Sequence, residues 1–415
     1  MTFCGLDFGT SNSTIGVENN HVIEMATLEG DSKILRSAIF LDDEDKKIYL
    51  GENAIHQYIE GAEGRLMTSI KSVLGSSLMD QKTRIFNEMK PFSDVLGYFI
   101  KAMKDKAETS SNQVIDSVVL GRPVRFNDRD DKADQVAEDT LRDIAKRQGF
   151  KHIEFQYEPI AAAMDYAQAV ETEQLALIVD IGGGTSDFTL VKISPNNKHN
   201  ASKILATAGI HIGGTNFDQR LSYHSVMPSL GLHTSMRVMN GADIEIPNSY
   251  FADLSTWHKI NHLYAKETLI NIKMSLATAN NKKLTNRLIN VLENRQGHRL
   301  IERIEAGKKQ LSETDTMTIP LEFIEDNLDV ALEKQRFEEI IANDLNKIYQ
   351  TITTLMSDAQ IKAKDVDAVF FTGGTTQIGK IKTDIMAMFN NAKEVKGSVF
   401  SSVGYGLTLD ASTRF

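Results

Sequence analysis

Residues 178–187 have the sequence Ile-Val-Asp-Ile-Gly-Gly-Gly-Thr-Ser-Asp, an apolar run that leads through Asp180 into a glycine turn carrying a hydroxyl residue. The pattern recurs at residues 4–11, Cys-Gly-Leu-Asp-Phe-Gly-Thr-Ser, where Asp7 takes the place of Asp180. Each stretch predicts a strand, a tight hairpin turn and a second strand. The repetition predicts two related lobes that hold one triphosphate between them.

The glycine turns after the two aspartates have the composition of phosphate-binding loops. Glycine lets backbone N–H groups approach a phosphate, and hydroxyl side chains add hydrogen-bond donors. We predict phosphate contacts from Gly9, Thr10, Ser11, Gly182, Gly183, Gly184 and Thr185. The hydroxyls could also be ordinary turn residues, because serine and threonine stabilise turns without any ligand.

Asp7 and Asp180 are candidate metal residues, because each ends an apolar strand before a glycine turn. Mg²⁺ keeps most of its waters, and paired carboxylates can hold that hydration shell. Each aspartate could instead cap its own loop in an Asx turn, an alternative that the repetition disfavours. Asp187 follows Thr185 by two residues, so both point to the same side of an extended strand. Asp187 is therefore a candidate for orienting the attacking water or the metal shell.

The composition is that of an ordinary globular protein. With 415 residues, the chain is too long for one hydrophobic core, so two or more lobes are expected. The net charge of −10 argues against a general nucleic-acid surface and against electrostatic docking to an anionic membrane. No segment has the length of a membrane span, and no signal-peptide pattern opens the chain. The single cysteine, Cys4, predicts a packing role in a reducing cytosol, so we expect a cytoplasmic protein.

Strands and helices alternate along most of the chain, which predicts an α/β fold with parallel strand pairs. The predicted strands cover residues 13–18, 117–121, 153–157, 175–180, 187–193, 204–210 and 366–372. The predicted helices cover residues 91–110, 131–148, 159–169 and 334–358, with another from residue 216 and a last one ending near residue 410. We predict a first lobe at 1–173 and a second at 174–415, with a mostly helical inserted subdomain at about 228–312.

Six segments, in the same order along the chain, resemble the nucleotide-binding half of the seventy-kilodalton heat-shock protein (DnaK) family within the actin-like ATPase superfamily. They cover residues 5–11, 70–75, 157–163, 179–187, 305–312 and 372–375. One glycine loop alone would be weak evidence, but six motifs in order are specific. The chain is similar to the short, YegD-like members. The resemblance implies an actin-like ATPase fold, in which two lobes with repeated mixed β-sheets, flanking helices and small subdomains close on Mg·ATP.

The resemblance also implies the roles of a lysine and a glutamate. Lys71 stands where the family has its catalytic lysine, and an ammonium there would offset charge developing on the γ-phosphate. Glu158 would organise the metal shell and the attacking water. From the residues alone, Lys71 could be a surface lysine and Glu158 a first-turn acid that the helix dipole favours. The predicted catalytic residues are Lys71, Glu158, Thr185 and Asp187, and the predicted metal residues are Asp7, Asp180 and Glu158, mainly through water.

Three further segments complete the predicted nucleotide site. The first is a glycine turn before a helix, whose N-terminus suits an anion, although it could simply be a capped loop. The second is a helix face with residues three and four apart, which by resemblance meets the adenosine. The third is a glycine loop that by resemblance lies at the adenine. The residues are Gly213, Gly214 and Thr215, then Glu305, Lys308, Lys309 and Ser312, then Gly373, Gly374 and Thr375.

Two residues depart from the family pattern. Lys309 and Gln377 stand where the family usually has arginines that flank the adenine. Neither side chain can stack a planar cation on a base as arginine does. We therefore expect weaker adenine binding than in DnaK, which calorimetry of Mg·ADP binding would measure.

The resemblance implies a slow ATP-hydrolysing, chaperone-like protein whose ligands are ATP or ADP and Mg²⁺ and whose lobe angle changes with the nucleotide. The family continues into a β-rich peptide-binding domain, whereas this chain ends at Phe415, so we expect a protein client or partner to use another surface. Two alternatives stay open. An actin-like filament former would pellet with ATP, and a small-molecule kinase would need a base for the acceptor hydroxyl, for which we find no clear candidate.

Overall fold

The computed structural model describes residues 2–74, 79, 81–126, 131–195, 202–238, 241–395 and 402–415. Gly75, the last residue of the segment predicted around Lys71, lies outside them. The strands are β1 (Phe3–Phe8), β2 (Asn12–Asn19), β3 (Val22–Met25), β4 (Leu35–Arg36), β5 (Ala38–Asp42), β6 (Lys47–Leu50), β7 (Gly64–Thr68), β8 (Lys82–Ile85), β9 (Glu88–Pro91), β10 (Ser117–Arg122), β11 (His152–Tyr157), β12 (Gln174–Ile181), β13 (Ser186–Ile193), β14 (Ser202–Ile210), β15 (Ser235–Arg237), β16 (Asp243–Glu245), β17 (Thr316–Pro320), β18 (Asp329–Glu333), β19 (Ala368–Thr372) and β20 (Lys393–Val395). The helices are α1 (Gly51–Ile59), α2 (Phe92–Ser111), α3 (Asp131–Arg147), α4 (Glu158–Ala169), α5 (Gly214–Leu221), α6 (Asn248–Leu254), α7 (Ile260–Leu263), α8 (Lys266–Leu276), α9 (Lys282–Glu293), α10 (Gly297–Leu311), α11 (Lys334–Asp358), α12 (Gly379–Met388) and α13 (Ser402–Arg414).

The predicted strands and helices are confirmed, with differences at their ends. Pro91 was expected in the first turn of a helix, but it is the last residue of β9 and has φ −56° and ψ 146°. Its backbone is extended, so α2 begins at Phe92. The last helix extends to Arg414, beyond the expected end near residue 410.

The chain divides into two compact units. The first contains Met1–His211, Gln350–Thr376 and Lys382–Phe415, and the second contains Ile212–Tyr349 and Gln377–Ile381. Both glycine hairpins therefore belong to the first unit. The division into lobes at 1–173 and 174–415, and the inserted subdomain at about 228–312, stay predictions.

The first hairpin is the centre of one sheet in the first unit, with the strand order β11-β10-β1-β2-β3 and β4 on β2. Strand β1 is antiparallel to β2, across the glycine turn, and parallel to β10. Apolar side chains of β1 and β2, among them Leu6, Phe8 and Ile15, are fully buried in a core to which α2 also contributes. Cys4 is buried in the same core, which confirms its packing role, and burial raises the pKa of its thiol.

The second hairpin occupies the same place in a second sheet, with the order β14-β13-β12-β19-β20. Strand β12 is antiparallel to β13, across the glycine turn, and parallel to β19. The relation of β12 to its two neighbours thus repeats that of β1. In both sheets the central strand reads as a nearly continuous apolar run, as expected where both faces of a strand are covered.

Helix α13 packs against α4 and β1 at very short range. A Cβ atom on Gly406 would lie 1.9 Å from the carbonyl oxygen of Ala161 in α4. A Cβ atom on Gly5 of β1 would lie 2.1 Å from the backbone nitrogen of Thr408 in α13. Because real Cβ atoms essentially never come within 3.0 Å of such atoms, both positions need glycine. The two glycines set how closely α13 lies on the first central strand and on helix α4.

The second unit is mainly helical, and aromatic rings pack around the buried His298. His298 of α10 is only 4% exposed, and its Nε2–H donates to the carbonyl oxygen of Trp257 at 3.1 Å. The two rings meet edge to face, with centroids 4.7 Å apart. Burial lowers the pKa of His298 to about 4, although the hydrogen bond to Trp257 opposes the shift. The imidazole is therefore neutral in the folded protein near neutral pH.

This burial predicts an acid-sensitive contribution of His298 to stability. Because the folded pKa lies below the usual value of 6.5, the unfolded chain takes up the proton first. The contribution is complete above pH 6.5 and is lost as the pH falls towards about 4, up to about 3 kcal/mol. We expect His298→Gln, which keeps a donor but does not titrate, to flatten the fall of the unfolding temperature over this range. Parallel pH curves for the two proteins would contradict the prediction.

Candidate functional site

Lys71 and Glu158 form a buried ion pair in the first unit. The Lys71 Nζ lies 2.5 Å from the Glu158 Oε1, and their side chains are only 8% and 17% exposed. Lys71 belongs to a short 3₁₀ turn at Ile70–Val73, which follows β7 through Ser69 in the left-handed conformation. Glu158 is the first residue of α4, directly after β11. The alternative of a surface lysine is thus excluded.

The two predicted aspartates lie beside this ion pair. Burial and the charge of Glu158 raise the pKa of Asp7 to about 7, while Lys71 opposes the rise. Burial and the charges of Asp187, Glu158 and Asp7 raise the pKa of Asp180 well above its usual range. Charges perturb one another in this way only at short distances. Electrostatic interactions therefore connect Asp7 and Asp180, near the ends of the two central strands, with Lys71, Glu158 and Asp187.

Asp187 lies directly opposite Asp180 in the β12–β13 register, so the two carboxylates share one face of the hairpin. Burial alone would lower the pKa of Lys71, but the charges of Glu158, Asp7 and Asp180 raise it. The ammonium consequently stays charged. The raised pKa values of Asp7 and Asp180 reflect their burial and the repulsion between neighbouring carboxylates, and a bound cation would relieve that repulsion.

The cluster fits a hydrated Mg²⁺ better than a directly ligated one. Within the described residues, no three histidine, cysteine, aspartate or glutamate side chains converge to hold a metal ion. The oxygen donors of Asp7, Asp180 and Glu158 are nevertheless of the kind that Mg²⁺ takes. They would hold the ion through its waters, so the water-mediated arrangement expected from the sequence stays a prediction.

Two buried serines that sequence reasoning missed support the first glycine turn. The Gly9 N–H donates to Ser13 Oγ at 3.2 Å, and the Gly9 carbonyl oxygen accepts from Ser37 Oγ at 2.7 Å. The two serine oxygens lie 3.0 Å apart. Thr10 and Ser11 follow Gly9 and are half-buried. The turn is therefore anchored at its first glycine, before the predicted hydroxyl residues.

The second turn is anchored by the predicted third glycine loop. The Gly182 N–H donates to the carbonyl oxygen of Thr185 at 2.9 Å and closes the hairpin. The Gly182 carbonyl oxygen accepts from Thr375 Oγ1 at 2.8 Å. Gly373 has φ +80°, and a Cβ atom there would lie 2.5 Å from Asp180 Oδ1. The structure thus brings the third loop to the second turn and to one of the aspartates.

In the second unit, Lys308 of α10 is tied to the start of α5. Its Nζ donates to Asp218 Oδ2 at 2.7 Å and to the Gly214 carbonyl oxygen at 3.1 Å. Burial raises the pKa of Asp218 to about 6, with Lys308 opposing the rise and Glu305 adding to it. Lys308 therefore ties the predicted glycine turn, at the start of α5, to helix α10.

The other predicted residues of this unit surround that contact. Glu305 pairs with the exposed Lys309 at 2.9 Å, and Ser312 lies just after the last turn of α10. Residues 213–215 lie at the start of α5. Sequence reasoning missed Asp218, although an acid one helical turn after a glycine pair is the signal that could have found it. Its Oδ1 is buried without a hydrogen-bond partner among the described residues.

A comparison with protein-family models matches the Hsp70 protein model at residues 84–230 and 269–411, more than half of the chain. The chain belongs to the Hsp70 protein family. The fold is accordingly the α/β actin-like ATPase fold, as the resemblance implied. This Hsp70-family chain is a nucleotide-binding protein of chaperone type, in a family related to ATPases that bind ATP or ADP. Its similarity to YegD-like members stays a prediction.

The matched ranges of the Hsp70-family chain include Glu158 and Asp180 but neither Asp7 nor Lys71, which precede residue 84. The structure nevertheless connects Asp7 and Lys71 to the matched region, because both interact with Glu158. No helix in the described part of the chain is both long and apolar enough to cross a bilayer.

Proposed function

We propose that this Hsp70-family chain binds Mg·ATP and hydrolyses it slowly to ADP and phosphate as a nucleotide-switched, chaperone-type protein. One observation carries the proposal. The buried Lys71–Glu158 pair lies beside Asp7 and Asp180, the aspartates that end the central strands of two repeated sheets. An ion pair that only stabilises the fold does not need further buried carboxylates beside it. A site for a triphosphate and its metal ion needs a lysine and several carboxylates together.

Catalysis at such a site depends on positioning and charge rather than on covalent chemistry. The Lys71 ammonium would stabilise charge on the oxygens of the γ-phosphate. Glu158 and Asp187 would orient the attacking water, and Asp7 and Asp180 would accept hydrogen bonds from waters of the metal ion. Mg²⁺, when bound, neutralises part of the phosphate charge.

The phosphates would be held by backbone N–H groups and hydroxyls of the turns at 9–11 and 182–185, with Thr185 near the γ-phosphate. In the second unit, Glu305 and Lys308 stay the proposed nucleoside residues. Among the described residues, Asp218 and Gly214 accept two of the three N–H donors of the Lys308 ammonium. Slow turnover, lobe closure and a protein client are part of the proposal.

The proposal predicts nucleotide binding that depends on magnesium. Calorimetry should give saturable binding of Mg·ADP that EDTA abolishes or weakens by about tenfold or more. Phosphate release from ATP should proceed without any added acceptor, at a kcat below about 1 s⁻¹. The absence of saturable binding at millimolar nucleotide would overturn the proposal. ATP-dependent pelleting would favour the filament former, and phosphate transfer only to an added acceptor would favour the kinase.

A further inference from the structure

The two glycine hairpins share one feature beyond their sequence pattern. In each, the carbonyl oxygen of the first turn glycine accepts a hydrogen bond from a buried hydroxyl that belongs to a distant segment. Ser37 Oγ donates to the Gly9 oxygen at 2.7 Å, and Thr375 Oγ1 donates to the Gly182 oxygen at 2.8 Å. Ser37 is 2% exposed and Thr375 9% exposed, so water competes little for either bond.

Each hydroxyl belongs to a segment that is itself well anchored. The backbone N–H of Ser37 donates to the carbonyl oxygen of Ser11 at 2.8 Å, so Ser37 is hydrogen-bonded to both ends of the first turn. Ser13 accepts the Gly9 N–H and lies 3.0 Å from the hydroxyl of Ser37. Thr375 follows β19, which pairs with β12 up to the position of Asp180. Both hydroxyls are therefore carried on backbone that other hydrogen bonds hold in place.

A fixed carbonyl also fixes the next amide. In a trans peptide the C=O of one residue and the N–H of the following residue point in opposite directions in one plane. Glycine restricts its own dihedral angles least of all residues, so its peptide plane turns freely unless something holds it. With the Gly9 oxygen turned to Ser37, the Thr10 N–H faces the opposite way. The same holds for Gly182 and the N–H of Gly183.

We propose that Ser37 and Thr375 are paired positioning residues, each of which fixes the peptide plane that presents a turn amide to the nucleotide phosphates. This rests on the proposed function. In this proposal Thr375 positions the second turn and does not contact the nucleoside. The ligand group concerned is the phosphate chain and not the base or the ribose.

The experiment compares Thr375→Val, which removes the hydroxyl at nearly constant shape, with Thr375→Ser, which keeps it. Binding of a non-hydrolysable Mg·ATP analogue and of adenosine is measured by calorimetry, with competition where affinity is low. We expect Thr375→Val to weaken binding of the analogue about tenfold and Thr375→Ser to restore it to within about twofold. Adenosine affinity should change less than about twofold in both. Ser37→Ala should act in the same way at the first turn.

Ser32→Ala is the matched control, because among the described residues that exposed hydroxyl bonds to the backbone of Ile34 and to no other group. Unfolding temperatures show whether each variant is folded at the temperature of the assay, and Ser37→Cys replaces Ser37→Ala if the latter is not. An equal loss for adenosine and the analogue would overturn the inference, since Thr375 would then meet the nucleoside. Unchanged affinities would overturn it as well. A wild-type protein that binds no nucleotide would overturn the proposed function instead.

Discussion

Lys71→Ala is expected to keep Mg·ATP binding within a few-fold and to lose at least about 100-fold in kcat. The Lys71 ammonium is the cation that pairs with Glu158 at 2.5 Å, and its charge opposes the raised pKa of Asp7 and Asp180. Without it, the carboxylates would remain beside the γ-phosphate and the ammonium that offsets its developing charge would be missing. The loss belongs to the transition state, so it appears in kcat more than in affinity.

Single-turnover phosphate release and calorimetry, on the same preparation, measure the two quantities. Lys104→Ala is the matched control, since Lys104 is also buried in the first unit and lies 3.7 Å from Glu108. That variant should lower the unfolding temperature and leave kcat within about twofold. Equal hydrolysis rates for wild type and Lys71→Ala would refute the assigned role of Lys71.

Gly406→Ala is expected to destabilise the first unit by about 3 kcal/mol or more, although it adds one methyl group. The new Cβ atom would lie 1.9 Å from the backbone oxygen of Ala161, which cannot swing away as a flexible side chain can. Either α13 or α4 must shift, and α4 begins at Glu158. The substitution should therefore also disturb the ion pair with Lys71.

Gly379→Ala is the control for this variant, because in the described part of the chain no atom outside its own helix backbone and chain neighbours lies within 4 Å of the position where its Cβ atom would be. In the first turn of α12 it should be neutral or slightly stabilising, by up to about 1 kcal/mol. Urea unfolding of both variants measures the difference. If the two were equally stable, the close packing of α13 on α4 would be wrong.

The hairpins and their aspartates could be predicted from the sequence, because every determinant is local. An apolar run, an acid, a glycine turn and a second strand follow one another within a few residues. The parallel partners could not be assigned in the same way, since β1 pairs with a strand that starts at Ser117 and β12 with one that starts at Ala368. Only the folded chain brings these strands together.

The candidate site shows the same limit. A single lysine carries no local signal, so Lys71 was predictable only through the family resemblance. Ser37 and Thr375 were missed as supports because the glycines they bind lie 28 and 193 residues away along the chain. The pairing of Lys308 with Asp218 joins two helices 90 residues apart, and neither helix indicates the other. The turns themselves can thus be predicted from the local sequence. The residues that support them cannot, because they come from distant parts of the chain.

The contact of α13 with β1 has a consequence for the order in which the protein is made. Strand β1 leaves the ribosome first, and the helix that packs on it, Ser402–Arg414, emerges roughly four hundred residues later. Until then, the face of β1 that carries Phe3 and Gly5 has no native cover, and folding that depends on such distant contacts is slow. During that interval the incomplete chain exposes backbone and side chains that the finished fold covers, the condition under which nascent chains tend to misfold.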